Sequence, residues 1–172
     1  ATGSAVVVAD TSSGARTGWS CVYELVAGDS EGVVEFTISS AGDNAGNPLD
    51  TVQSVTAEGG IVVFDRTSPT LSVDSVVVSS VGLAASQAGV DDVVALEFTT
   101  SEALGAEPTC AVAVGGTSTQ GVVSVSDTSS GAGTAWLCDV VLSAQDDPGA
   151  IMFSIDGLDA SGNDMSQVQR TV

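Results

Sequence analysis

Carboxylates and cysteines are the side chains of this chain that could do chemistry, because it contains no histidine and no lysine. Without histidine, a Ser/His/Asp triad, an HExxH zinc site and a Cys/His dyad are excluded, and without lysine Schiff-base chemistry is excluded as well. The adjacent acids Asp91/Asp92 and Asp146/Asp147 have the composition of a glycosidase pair, but beside Gly or Pro such residues are typical of turns. The sequence therefore predicts no enzymatic activity.

The charge balance is strongly acidic, with 22 Asp and Glu against 3 arginines and a net charge of −19. A surface of this sign repels phosphate backbones and anionic lipids, so we expect no binding to nucleic acid. No apolar run approaches the ~18 residues of a membrane helix, and we expect no membrane insertion. Such a surface does favour divalent cations, solubility and repulsion between neighbouring molecules.

Two stretches of the chain are copies of each other. DTSSGARTGWSCVYEL, which starts at Asp10, returns as DTSSGAGTAWLCDVVL at Asp127, 117 positions later. This period exceeds the roughly 20 to 50 residues of solenoid repeats and indicates consecutive domains, each with its own core. We expect residues 1–66 to be the carboxy-terminal part of one repeat and residues 67–172 to be a second, nearly complete one. Ala1 corresponds to Ser118 in this register, so we expect the first copy to lack its opening half.

Short runs rich in Val, Ser and Thr, separated by Gly, Asp, Asn and Pro, indicate an all-β fold. In the second copy we expect strands at 71–78, 93–99, 109–114, 122–126, 136–142, 151–155 and 167–172, and in the first copy a last strand at 61–64. In both copies, core-type apolar residues recur at every second position of these strands, which predicts two inward rows. These rows are Trp19, Cys21, Tyr23 and Leu25 with Trp136, Cys138, Val140 and Leu142, then Val34, Phe36 and Ile38 with Ile151, Phe153 and Ile155.

Several motifs together carry a family resemblance. They are the linker residues Asp65, Thr67, Pro69 and Thr70, FTTSE at 98–102, the inward W-x-C strand, GVVEFTI at 32–38, and D-x-A/S-G-N at 43–47 and 159–163. With these motifs the chain resembles the bacterial-type immunoglobulin-like (Ig-like) tandem repeats of large extracellular adhesins and surface filament proteins. The resemblance implies tandem Ig-like β-sandwich domains, the first one incomplete in this chain. The cysteines and the lack of lysine depart from this pattern.

The three cysteines follow the repeat. Cys110 and Cys138 fall in one copy, on strands that can face each other across the core, and pairing them leaves Cys21. Cys21 matches Cys138, while the counterpart of Cys110 lies before Ala1, so we expect Cys21 to be unpaired or bonded outside this chain. A disulfide implies an oxidising, extracytoplasmic compartment; the alternative is buried free thiols that pack as small apolar residues.

Calcium is the metal that the resemblance implies, and no other cofactor is expected. Asp65 resembles the interdomain aspartate that coordinates Ca²⁺ in many adhesin repeats. Its candidate co-ligands are Asp91, Asp92, Glu102 and the two D-x-A/S-G-N loops. The alternative for Asp43 and Asp159 is a turn in which the aspartate caps backbone amides while the following Gly adopts a positive φ.

Three functions fit the sequence. The first is a structural repeat module of an extracellular stalk, fibre or surface filament, whose partners are neighbouring Ig-like repeats or identical subunits that complete the first domain. The second is an adhesive or carbohydrate-binding module of a cell-surface protein, and the third an accessory domain of a secreted enzyme. We favour the first, because Trp19 and Trp136 lie in predicted inward rows and are expected to be core residues rather than sugar platforms.

Overall fold

The computed structural model describes residues 5–39, 41–51, 61–79, 87–165 and 168–171. Within these ranges the regular secondary structure is β-strand throughout, and the strands pair antiparallel, so the all-β prediction is confirmed. The chain divides into two compact units, Ala1–Arg66 and Thr67–Val172, which we call the first and the second unit.

The strands are numbered β1 to β12 in chain order. The first unit contains β1 (Val7–Asp10), β2 (Trp19–Val22), β3 (Gly32–Val33) and β4 (Val63–Phe64). The second unit contains β5 (Leu71–Ser79), β6 (Val93–Thr100), β7 (Thr109–Val114), β8 (Thr117–Ser118), β9 (Val122–Asp127), β10 (Ala135–Val141), β11 (Ile151–Asp156) and β12 (Val168–Thr171).

Two four-stranded antiparallel sheets form the second unit. One has the strand order β5-β6-β10-β9 and the other the order β12-β11-β7-β8. The seven strands predicted for this copy are present, and their described ends differ from the prediction by no more than one residue; the predicted ends at 167 and 172 lie outside the described residues. Only β8 was not predicted; it is two residues long and follows Gly115 and Gly116, which both adopt a positive φ.

The core of the second unit lies between its two sheets. Alternate residues of β6 and β10 are buried in one cluster with alternate residues of β7 and β11, as a strand with one face in the core requires. The second-copy half of each predicted inward row is thereby confirmed. The cluster contains Val94, Leu96, Phe98, Val112, Val114, Trp136, Cys138, Val140, Leu142, Phe153, Ile155 and Met165.

The hairpin of the first unit repeats the one in the second. β1 pairs with β2 so that Asp10 lies opposite Trp19 and Val8 opposite Cys21. In the second unit β9 pairs with β10, with Asp127 opposite Trp136 and Val125 opposite Cys138. The register is therefore the same in both copies. β3 and β4 form a separate two-stranded sheet, and β4 lies within the predicted strand at 61–64.

The prediction of an inward row in the first unit was wrong for the chain as it stands. Trp19 is 57% exposed, Leu25 and Phe36 are also exposed, and none of the described residues of this unit is buried. The reason is the lack of covering strands. In the register of the repeat, residues 1–66 contain no counterpart of β5, β6 and β7. Side chains of β6 and β7 belong to the cluster that excludes water from the same row in the second unit.

We expect the matched substitutions Phe153→Ala and Phe36→Ala to differ strongly in their effect on the free energy of unfolding. Phe153 is fully buried, so its truncation leaves a cavity and lowers the free energy of unfolding of the second unit by about 3–5 kcal/mol. Phe36 is outside any buried cluster of described residues, and its truncation should change stability by about 0.5 kcal/mol or less. Urea unfolding measures both, followed by Trp136 fluorescence in a Trp19→Phe background for Phe153→Ala and by Trp19 fluorescence in a Trp136→Phe background for Phe36→Ala. Similar losses would contradict this assignment of the core.

Candidate functional site

The first group of candidate residues caps the turn of the repeated hairpin. Asp127 Oδ1 accepts hydrogen bonds from the Ser129 amide at 2.7 Å and from the Ser129 hydroxyl. Asp10 is bonded in the same way to Ser12, with an amide distance of 2.8 Å. The Ser129 hydroxyl, followed by its amide, holds the pKa of Asp127 below its usual range. These two aspartates therefore stabilise a turn, a role that sequence analysis missed although the D-x-S spacing signals it.

A second aspartate turn follows β10. Asp146 Oδ2 accepts the Ser143 amide at 2.8 Å, and Oδ1 accepts the Gln120 amide at 2.6 Å. In the first unit Asp29 accepts the Val26 amide at 3.0 Å, and the Tyr23 hydroxyl donates to both of its oxygens. The Ser143 amide is the main cause of the lowered pKa of Asp146. This pattern is that of a turn cap and agrees with the sequence interpretation of the Asp146/Asp147 pair.

The D-x-A/S-G-N motifs form the third repeated turn. Asp159 Oδ1 accepts the Ser161 and Asn163 amides at 2.7 and 2.9 Å, and Oδ2 accepts the Asn163 side-chain amide at 2.7 Å. Gly162 lies at a φ of 87°, a conformation that L side chains rarely adopt. The turn at Asp43 shows the same bonds to Ala45 and Asn47. The predicted alternative of an amide-capping turn is therefore confirmed at both motifs.

Asp159 is the one buried carboxylate among the described residues, with 5% of its surface exposed. Burial by itself would raise its pKa, but the hydrogen bonds from the Asn163 side chain and amide and from the Ser161 amide act in the opposite direction and prevail. The pKa of Asp159 therefore lies below its usual range, and the residue is held as a charged acceptor inside the turn.

The four predicted calcium ligands are not brought together as one set. Asp91 and Asp92 immediately precede β6, and Glu102 follows it. An eight-residue strand spans about 26 Å at about 3.3 Å per residue, whereas Ca²⁺ holds its ligands at about 2.3–2.6 Å. Asp91 and Asp92 therefore cannot bind the same ion as Glu102. They lie instead in a turn, where Asp92 Oδ2 accepts the Gly89 amide at 2.7 Å and Asp91 has a φ of 67°.

Glu102 lies close to the third turn of the second unit. A carboxylate oxygen of Glu102 and one of Asp159 lie within 4.8 Å of each other. The neighbouring backbone is tied down on both sides, since Thr100 Oγ1 donates to the Glu102 carbonyl at 2.6 Å and Leu104 forms an antiparallel bridge with Asp159. Two carboxylates at this spacing offer hard oxygen ligands to a divalent cation. Asp65 is near the end of the first unit, and its assignment as a ligand stays a prediction.

The disulfide Cys110–Cys138 is present, which confirms the predicted pair. Cys110 belongs to β7 and Cys138 to β10, so the bond joins the two sheets, and the two Cα atoms are 6.4 Å apart. Cys138 is fully buried at the centre of its row. Cys21, its counterpart in the first unit, is exposed and not disulfide-bonded. The bond indicates an oxidising, non-cytoplasmic environment.

An open cleft of about 320 Å³ lies at one end of the second unit. Its lining offers carboxylates and a threonine hydroxyl but no aromatic side chain. The lining residues are Ala106, Glu107, Thr109, Asp156, Gly157, Leu158 and Asp164. Sugar sites rely on aromatic faces for apolar contact, so this cleft does not resemble one.

In the part of the chain that the structure describes, no helix is long and apolar enough to cross a membrane. Comparison with known proteins gives no matching family model, no matching curated protein and no matching solved structure. The fold, the repeat and the side chains described above are therefore the observations that bear on function.

We expect Asp159→Asn to lower the thermal midpoint of the second unit, with a loss that depends on pH. The substituted amide places a donor against the Asn163 side-chain amide, and it removes the titration. Because the folded-state pKa is lowered, the stability from this carboxylate is present above its unfolded pKa of about 3.9 and is lost as pH falls through the folded-state value. The gap between parent and variant should thus be large near neutrality and shrink below about pH 4.

Asp43→Asn is the matched control for this experiment, since Asp43 makes the same turn on the exposed first unit. It should leave the Trp136-detected unfolding of the second unit unchanged. A loss in Asp159→Asn that stays constant from neutral to strongly acidic pH would show that the charge of Asp159 contributes nothing.

Proposed function

We propose that this chain is a structural repeat module of an extracellular stalk, fibre or surface filament built from tandem Ig-like β-sandwich domains. The two units each carry a copy of the same sequence, and the function follows from repetition. A row of similar domains sets the length and stiffness of an appendage without a catalytic site.

The strand order of the second unit supports the Ig-like part of this proposal. Labelled A, B, C, C′, D, E, F and G in chain order, its strands form one sheet A-B-E-D and a second sheet G-F-C-C′. That is the strand order of an immunoglobulin-type sandwich. One departure is notable: the disulfide joins the third and sixth strands, β7 and β10, whereas in antibody domains it joins the second and seventh.

The observation that carries the proposal is that three turns recur at atomic detail in both units. Each pair accepts backbone amides at the same sequence offset: two residues later at Asp10 and Asp127, three residues earlier at Asp29 and Asp146, and two and four residues later at Asp43 and Asp159. Two copies that share hydrogen bonds as well as sequence are expected of one domain type used repeatedly. A binding module has no comparable reason to preserve the hydrogen bonds of every turn in its fold.

The compartment and the charge fit an extracellular array. A disulfide between buried strands persists where the environment is oxidising. A net charge of −19 makes neighbouring modules repel each other, which favours an extended arrangement over a collapsed one.

The adhesive alternative is less well supported. All three aromatic residues of the second unit, Phe98, Trp136 and Phe153, are buried in its core, so none offers a face to a sugar. The third alternative, an accessory domain of a secreted enzyme, requires a catalytic domain elsewhere in the same polypeptide. The exposed Trp19 of the first unit is an observation in favour of the adhesive alternative, but its counterpart Trp136 is a core residue of the second unit. No observation favours the accessory-domain alternative.

Immunogold electron microscopy tests the structural role. Antibodies raised against the second unit, applied to intact cells of the source organism, should label surface appendages at many points along their length. Preimmune serum and antibody absorbed with the purified chain are the controls. Labelling confined to appendage tips would favour the adhesive alternative, and labelling seen only after permeabilisation would overturn the proposal.

Calcium is part of the proposal, with Glu102 and Asp159 as its ligands in the second unit. Ca²⁺ takes six to eight oxygens, so these two carboxylates are only part of a full ligand set, and Asp65 is the predicted third. An ion that binds the folded chain but not the unfolded chain stabilises the folded state. At an ion concentration about 100-fold above Kd, the free energy of unfolding rises by about 2.7 kcal/mol.

Thermal unfolding with millimolar CaCl₂, compared with EGTA, measures this gain. Glu102→Gln should abolish it, while Glu107→Gln, which alters an acid of the nearby cleft, should retain it. An Asp65→Asn arm tests the predicted third ligand. If calcium raises the midpoint equally in the parent and in Glu102→Gln, the site assigned here is wrong.

A further inference from the structure

The first unit presents an apolar face that has a buried counterpart. We define this apolar face by Trp19, Cys21, Leu25, Phe36 and Ile38. Trp19 is 57% exposed against 5% for Trp136, Phe36 is 42% against 0% for Phe153, and Ile38 is 40% against 1% for Ile155. Exposed apolar clusters of this kind are unusual on an isolated soluble domain and mark a contact surface.

The second unit shows what covers such a face. β10, the counterpart of β2, pairs on one edge with β9 and on the other with β6, where Cys138 lies opposite Leu96. β11 pairs with β7, where Phe153 lies opposite Val112. In the first unit, β2 pairs with β1 in a two-stranded sheet, so its other edge has no strand partner among the described residues. Both the side chains and the backbone edge therefore lack what β6 and β7 supply.

Cys21 gives a second and independent indication. Its counterpart Cys138 is bonded to Cys110, which lies on β7 in the segment that covers the row. Cys21 is exposed and not disulfide-bonded. A segment that covers the apolar face in the same way would bring its own cysteine to Cys21.

We infer that the apolar face binds a three-stranded segment of the Leu71–Val114 type from another repeat of this kind, and that Cys21 forms a disulfide with the cysteine of that segment. The inference rests on the proposed function and specifies the partner that completes the first unit. The segment contributes a strand that pairs beside β2, a row of large apolar residues and an inward cysteine, as β6 and β7 do in the second unit.

A second copy of the chain folded as described here is not the occupant. Its own Leu71–Val114 segment is held by the Cys110–Cys138 bond and by the core, and donating it would expose Phe153 and Trp136 in exchange for covering Phe36 and Trp19. The exchange has no net gain in buried apolar surface. The segment must come from a repeat whose strands are not already paired.

Bond formation requires an oxidant. The Cys21 thiol and the thiol of the incoming cysteine each lose one proton and one electron as the S–S bond forms. A disulfide donor such as oxidised glutathione takes up the two electrons and two protons and leaves as two thiols, through a mixed-disulfide intermediate.

A fused chain tests the inference. A copy of residues 67–117 is placed directly before Ala1, which restores the register of the repeat because Ala1 corresponds to Ser118. The parent and the fused chain are refolded with oxidised glutathione, both in a Trp136→Phe background so that Trp19 is the only tryptophan. The free-thiol count in denaturant should fall from one per chain to none, and the Trp19 emission maximum should shift to shorter wavelength.

Two control fusions distinguish the effect of the added cysteine from the effect of the added strands. With the added cysteine replaced by Ser, the emission shift should persist while one free thiol remains. With the added copies of Leu96 and Phe98 both changed to Asp, the emission shift should be lost and Cys21 should stay reactive. Peptide mapping should identify the Cys21 disulfide in the fused chain alone.

Two results would overturn the inference. One is a fused chain in which Cys21 stays free and Trp19 emission is unchanged. The other is a parent chain that forms a Cys21–Cys21 dimer with shifted Trp19 emission, which would make a second copy the occupant. The outcome is separate from that of the appendage labelling, because a completed first unit in a protein found only inside cells would leave this inference standing while the proposed function failed.

Discussion

Apolar side chains of β6 and β10 leave water only by packing against those of β7 and β11, and the second unit depends on this contact. No ladder of backbone hydrogen bonds joins the two sheets among the described strands, where side-chain packing and the Cys110–Cys138 bond hold them together. The disulfide closes the loop between positions 28 apart, which in the chain-entropy model is worth about 3–4 kcal/mol. Both contributions act on the same row of residues, since Cys138 lies between Trp136 and Val140 on the buried face of β10.

The turns follow a different rule, because their conformations do not require the core. Asp43 is exposed and Asp159 is buried, yet both accept bonds from the residues two and four positions later at distances of 2.7 to 2.9 Å. Such a turn is specified by a few neighbouring residues, among them an aspartate acceptor and a glycine at positive φ. Local structure in the two units is therefore alike, while burial is not.

This difference explains how much the sequence could predict. Strand positions and the buried rows of the second unit follow from period-two alternation, which is a local signal, and the Cys110–Cys138 pair follows from comparison of the two copies. The exposure of Trp19 and Phe36 does not follow from alternation, because burial depends on which strands cover a face rather than on the residues of the face itself. The grouping of Asp91 and Asp92 with Glu102 around one ion could not be judged from the sequence for a similar reason: residues close in sequence to Glu102 lie at the opposite end of β6.

The distribution of charge connects these observations to assembly. Several aspartates are satisfied by backbone amides in their own turns, and the described ion pair joins Arg66 to Glu31 at the surface. Local amides stabilise a carboxylate without cancelling its charge, so a net charge of −19 remains to act between modules. This repulsion is screened over about 10 Å at 0.1 M salt, whereas burial of an apolar face needs direct contact and depends little on salt. In the proposed array, segments that complete a β-core would thus pair tightly while complete modules stay apart.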